Sequence, residues 1–278
     1  MTSKLYELLT RSSEPETIES EIYGTLIDAV KEKLIATNFI ALRIGKESIP
    51  GDSIKIDYVD KDIMVVHEVA EGAEVPFEIG TISTFTLTPK KYGLRPMITK
   101  EMQEDGKFDL MEYNLREAGY QLAKFLDSAL MAQISAGNTA SSHTVSGGAV
   151  ITPANINTAI YNLEYDGYAA TDIICSAEVA MDIRNTDTFV EADKAGVTNP
   201  SQGLIGQIFG MKVWQTNQVT AKYAYVIDKA HALCFAEKRP ITIERYNDVG
   251  KDLSGIVITT RWATRYLMAN ACCVITTS

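Results

Sequence analysis

The feature that most limits the fold of this chain is the run 109–134, which reads as one long helix. Asp109 and Glu112 stand as its N-cap and third residue. Leu115, Ala118, Leu122, Phe125, Leu126, Ala129 and Leu130 then recur at steps of three and four. No proline interrupts the run, and Gly119 is the only glycine inside it. A helix of that length spans about 38 Å, more than twice the average. It needs a body to lie across and serves as a strut. Residues 135–148 (SAGNTASSHTVSGG) are small, polar and aperiodic, and read as a loop or linker.

On the N-terminal side of the strut the periodicity is different. Ser13 and Glu16 form a capping box with Pro15 in the first turn. Ile18, Ile22, Leu26, Val30 and Leu34 follow at steps of four, a narrow apolar stripe on a helix running to about Ala36. From Phe39 the pattern shifts to period two. Ile54, Ile56 and Tyr58 alternate with Lys55, Asp57 and Val59, and a second apolar run covers 63–66. In 81–88, Phe85 and Leu87 point one way and Thr84, Thr86 and Thr88 the other. Together these predict an extended antiparallel hairpin. A hairpin with so thin an apolar face is not stable alone and must borrow contacts.

After residue 150 the pattern becomes α/β. Thr152 and Pro153 open a helix carrying Ile156, Ile160 and Leu163. A short buried strand is expected at 171–175, then a helix from Ser176 as N-cap to Arg184. A Gly/Asn/Pro-rich loop covers 187–203. Strands are expected within 204–214, at 223–227 and at 232–235, then at 241–246 and within 256–276, with a turn at 247–250.

Composition narrows the function. Thirty-six acidic against 26 basic residues leave a formal net charge of −10 over 278 residues. That charge is not the phosphate-binding field of a nucleic-acid binder. No apolar stretch approaches the roughly 20 residues needed to span a bilayer, and no secretory signal is expected at the N-terminus. Cys175, Cys234, Cys272 and Cys273 lie in apolar runs without a C-x-x-C pair and read as buried free thiols, in keeping with a reducing cytoplasm. His67, His143 and His231 stand in no metal-binding pattern. Neither a nucleophile elbow nor a phosphate loop is present. Glu71 and Glu74 share a glycine-containing loop without a desolvating pocket for acid–base work. Lys90-Lys91 and Lys238-Arg239 read as solvated turns. No catalytic residue, cofactor or metal site is expected, and an α/β enzyme would need a cleft with convergent polar groups.

Three segments, in order, carry a family resemblance. VAEGAEVPF (69–77) resembles the tip of an extended loop. TLTPKKYGLRPMITKEM (86–102) resembles the strand leading into a spine helix. LIGQIFGMKVWQTNQV (204–219) resembles a strand and turn in which Met211 stands where proline is common. The match runs from about residue 15 over nearly the whole chain and resembles the major capsid proteins of tailed phages, the Hong Kong ninety-seven fold.

The resemblance implies an α+β fold with an N-terminal arm (1–50) and an extended β-hairpin loop (51–95). It further implies a peripheral domain (96–149 and 236–278) built on the spine helix and long strands, and an α/β axial domain (150–235). It implies contacts between subunits at the loop tip (Glu71, Gly72, Ala73, Glu74, Val75, Pro76) and along the arm helix (Ile18, Ile22, Leu26, Val30). A further loop, Thr198, Asn199, Pro200 and Ser201, would face the capsomer axis. The implied partners are the protein itself, in hexamers and pentamers, with a separate scaffolding protein and a portal. The shell would hold double-stranded DNA without gripping it, assemble in the host cytoplasm, end in the virion, and involve no membrane. The residues between Lys61 and Lys90 include no lysine, so covalent cross-linking at the tip is not expected. An encapsulin, a cellular cage of the same fold loaded with cargo enzyme, is the alternative.

Overall fold

A computed structural model describes residues 34–49, 51–59, 66–72, 74–77, 82–104, 110–185 and 204–277. The described residues first make β1 (Ile40–Ile44), β2 (Ile54–Val59), β3 (Ile82–Leu87), β4 (Lys90–Leu94) and β5 (Met97–Thr99). Two helices follow, α1 (Lys100–Glu104) and α2 (Leu110–Ser141), and then β6 (Thr144–Gly148). Next come α3 (Pro153–Tyr165), β7 (Asp172–Cys175), α4 (Ala177–Arg184), β8 (Leu204–Ile208), β9 (Met211–Gln215) and β10 (Tyr223–Ile227). The chain closes with β11 (Leu233–Asp248), β12 (Leu253–Tyr266) and β13 (Cys272–Thr277).

Among the described residues these strands form three sheets. The first has the order β1-β11-β12-β4, with β5 paired to the far end of β12. The second has six strands in the order β6-β13-β10-β7-β9-β8, and the third is the β2–β3 hairpin. The second sheet is covered on both sides, so its central strands β7, β10 and β13 are buried over most of their length rather than alternating. Ile173, Cys175, Val226, Cys273 and Ile275 pack with α3 and α4 on one face. Ile174, Tyr225, Ile227, Cys272 and Val274 pack with Leu130, Met131 and Ile134 of α2 on the other. Adjacent residues thus serve opposite cores, as the two-residue period of a strand requires. The N-terminal half of α2 sets Leu115, Ala118, Leu122 and Ala123 against Ile256 and Ile258 of the first sheet. One helix therefore bridges both sheets.

Several local signals act as read. The Thr152 hydroxyl accepts from the Asn155 N–H at 3.4 Å, and the Ser176 hydroxyl from the Val179 N–H at 3.5 Å, so both helices start where their caps stand. The β8–β9 hairpin turns on Phe209 and Gly210, both at positive φ (48° and 80°), the backbone of a tight two-residue turn.

Three expectations are corrected. First, 135–148 is no linker: α2 runs on to Ser141, and 144–148 is the edge strand β6, parallel to β13. The small residues are there for close packing. A Cβ on Gly137 would meet Tyr266 at 3.1 Å, and the Asn138 side chain accepts from the Val274 N–H at 2.8 Å. Second, the expected strands at 232–235 and 241–246 are one strand, β11, in which Pro240 falls where the register with β12 shifts. A bulge accommodates a residue without an N–H. Third, the sheets do not divide at 149/150 and 235/236. Both β6 and β13 belong to the six-stranded sheet with the strands of 150–235. The expected N-cap, Asp109, lies outside the described residues.

Candidate functional site

The hairpin has a buried root and an exposed tip. At the root, Phe85 (4% exposed) and Leu87 (3%) sit with Ile49, Cys234 and Ala236 on the face of the first sheet that points away from α2. The Thr84 hydroxyl donates to Asp57 at 2.6 Å across the two strands. At the tip the surroundings are open. Val66 is 98% exposed, Phe77 87% and Val75 73%. Glu68, Glu71, Gly72, Glu74 and Pro76 are exposed beside them, and Gly72 takes the left-handed conformation (φ 81°) that turns the chain. Three large apolar side chains and three carboxylates are thus presented on a loop whose described residues, 66–72 and 74–77, join none of the core clusters.

Of the site residues read from the sequence, Glu71, Gly72, Glu74, Val75 and Pro76 come together at this tip. Ala73, the arm residues Ile18, Ile22, Leu26 and Val30, and the loop residues Thr198, Asn199, Pro200 and Ser201 lie outside the described residues. The basic pairs are not solvated turns. Lys90 and Lys91 lie on β4, and Lys238 and Arg239 on β11.

Sequence reasoning missed Asp127. It sits on α2 at 4% exposure, where its Oδ2 accepts from the Ile35 N–H at 3.1 Å and its Oδ1 from the Ala36 N–H at 3.2 Å. These bonds pin the segment 34–39 to the long helix. Burial pushes the carboxyl up to about 6, and the two N–H bonds pull it back only in part. A lone aspartate on the apolar side of a predicted helix was the available signal.

Several other polar groups are held in structural contacts. His231 Nδ1 lies 2.8 Å from the buried Asp228 carboxylate, which also accepts the Ala230 N–H at 2.9 Å. His143 Nε2 lies 3.3 Å from Asp166. A cleft of about 730 Å³ is bordered by Phe39, Thr171, Lys212, Trp214 and Lys229, with Asp172 at its wall accepting from Trp214 Nε1 at 2.8 Å. No cluster of His, Cys, Asp or Glu that could hold a metal occurs among the described residues. No described helix is long and apolar enough to cross a membrane.

An exposed loop of apolar and acidic side chains, rooted in a two-sheet body, belongs to a protein with a surface to present to a partner. The comparisons with known proteins say which. The model of the phage capsid family matches residues 21–277, and the chain belongs to that family. No curated protein matches it. Among solved structures, one from Microbacterium phage Oxtober96 is similar, with 14% identity, a TM-score of 0.67, and 88% of this chain and 91% of that one covered. The mature capsid of bacteriophage PhiM1 is similar at 12% identity and TM-score 0.66, covering 88% and 87%. The capsid of a native GTA particle is similar at 14% and 0.66, covering 87% and 90%. The fold is the α+β Hong Kong ninety-seven fold, and the protein is a structural major capsid protein that associates with itself in a viral shell.

Proposed function

We propose that this subunit forms hexamers and pentamers that close into an icosahedral shell around double-stranded DNA, without catalysing a reaction. Closed point-group symmetry turns one repeated set of contacts into a finite shell. The carrying observation is the hairpin, buried at Phe85 and Leu87 and bare at Val66, Val75 and Phe77. Apolar side chains grouped on an exposed loop call for a partner surface, and in a shell that surface belongs to the next subunit. Within 51–95 the β2–β3 hairpin and its tip then act as the extended loop, and within 1–50 the residues before β1 act as the arm, with the arm helix (Ile18, Ile22, Leu26, Val30) on a neighbour. The peripheral domain is built on α2 and the first sheet, and the axial domain on the six-stranded sheet, which takes in β6 and β13. Thr198, Asn199, Pro200 and Ser201 face the capsomer axis.

Assembly takes place in the host cytoplasm with a separate scaffolding protein and a portal. The net charge of −10 makes the shell a container rather than a grip for DNA. Co-expression with the scaffold should give closed particles of megadalton mass by sedimentation and negative-stain microscopy. A monodisperse monomer at high concentration with scaffold present would overturn the proposal.

A further inference from the structure

The face of the first sheet that carries the hairpin root also carries an uncompensated row of cations. Arg239 on β11 stands directly opposite Arg261 on β12, and Arg261 directly opposite Lys91 on β4. Neighbouring strands lie about 5 Å apart, and like charges directly opposite one another destabilise a sheet. Arg261 points away from α2, because its neighbour Trp262 packs on the helix side with Leu130 and Met131. It is also compensated within the chain. Its Nη2 donates to the Asp52 carboxylate and its Nε to the Pro89 carbonyl at 3.0 Å. Lys91 and Arg239 are exposed, and neither has an ion-pair partner among the described residues. Three cations therefore face one carboxylate, in an arrangement that the isolated subunit leaves unbalanced.

The loop tip has the opposite imbalance. Residues 62–89 contain no lysine or arginine, but hold Asp62, Glu68, Glu71, Glu74 and Glu78. Glu68, Glu71 and Glu74 are exposed, and none of them is in an ion pair among the described residues. The tip and the row thus match in charge, and in number each exceeds its local counter-charge by at least two.

We propose that the row Lys91–Arg261–Arg239 is the seat for the loop tip of a second copy of this chain, with Glu71 and Glu74 pairing to Lys91 and Arg239. The inference rests on the reading of 51–95 as an arm between subunits. A second copy fits better than a nucleic acid because the tip brings Val75 and Phe77 next to its carboxylates. A strand of phosphates would satisfy the cations and leave those side chains bare. The row also lies beside the root of its own hairpin, so each subunit would give a tip on one side and take one on the other. A heterologous, head-to-tail contact of this kind is the type from which rings of subunits are built.

The test is a charge exchange in the full chain with its scaffold. Lys91→Glu with Arg239→Glu should leave the melting of unassembled subunits unchanged or slightly raised, since it relieves the row. It should lower particle yield at least tenfold. Glu71→Lys with Glu74→Lys should do the same, and the four changes together should restore particles to within about twofold of wild type. A second measurement mixes chains carrying only Glu74→Cys with chains carrying only Arg239→Cys. Under mild oxidation, shells should yield a covalent dimer, while the four native thiols, all buried, stay out of the reaction. If wild type forms shells and the Lys91/Arg239 variant assembles equally well, the seat is overturned. It is also overturned if the fourfold variant is not rescued and no dimer forms; loss of DNA retention in those particles would then assign the row to nucleic acid. If wild type forms no shell at all, the reading of the loop fails and takes the seat with it.

Discussion

Asp127 offers a titration that reads out how the segment 34–39 is held. Its carboxyl is raised from an ordinary 3.8 to about 6 in the folded protein, with burial as the first cause. A carboxyl raised on folding favours the folded state while protonated. Its contribution is fully present below pH 3.8 and is lost as pH rises through 6. The two-unit shift corresponds to about 3 kcal/mol in full, of which roughly half falls between pH 5 and 7. Asp127→Asn keeps the shape and one acceptor for the Ile35 and Ala36 N–H groups but cannot ionise. The variant should start below wild type at pH 5, because one N–H loses its acceptor, at a cost of about 1–3 kcal/mol. It should then gain on wild type by about 1.3 kcal/mol by pH 7, a relative shift in melting temperature of about 2 °C for a chain of this size. Thermal melts of unassembled subunits at half-unit pH steps would show the two curves converging. If they run parallel from pH 5 to 7, Asp127 does not titrate there and the burial argument is wrong.

Phe85→Ala should cost about 3–5 kcal/mol by denaturant unfolding, since it empties the root of the hairpin, whereas Phe77→Ser should leave subunit stability within about 0.5 kcal/mol and reduce particle yield. Gly255→Ala should lower stability by about 1–3 kcal/mol or more, because its Cβ would stand 2.9 Å from Met97 Cγ and 3.0 Å from Met97 Cα and press on the Pro96 carbonyl. The four cysteines should resist maleimide at pH 7.5 until the protein is unfolded. Burial pushes Cys175 up to about 12, Cys234 and Cys273 to about 11, and Cys272 well above its usual range, so almost no thiolate is present.

How far the sequence could be read follows from how far apart the interacting groups are. The starts of α3 and α4 were legible because Thr152 and Ser176 cap donors three residues on. The end of α2 was not. Gly137 and Asn138 are polar or small for the sake of Tyr266 and Val274, well over a hundred residues away, and read locally as a loop. The split of β11 has the same origin, since only β12 tells whether Pro240 sits in a bulge or a break. The tip was legible as Glu71 to Pro76 because a glycine turn among polar residues is a local pattern. The basic row was not, because Lys91 and Arg239 meet only through Arg261 and a register that no local window contains.

The position of β13 bears on when a subunit becomes usable. This strand lies inside the six-stranded sheet, between β6 and β10, yet it is made from residues 272–277. A ribosome must therefore synthesise almost all of this sequence before β6 has a strand to pair with or α2 has its Val274 contact. Messages cut short upstream of residue 272 would yield chains with a gap in the sheet, bare backbone on β10, and an uncovered apolar face. Proteases would find such chains before a growing shell could include them, so that position acts as a length check on every copy admitted to the particle.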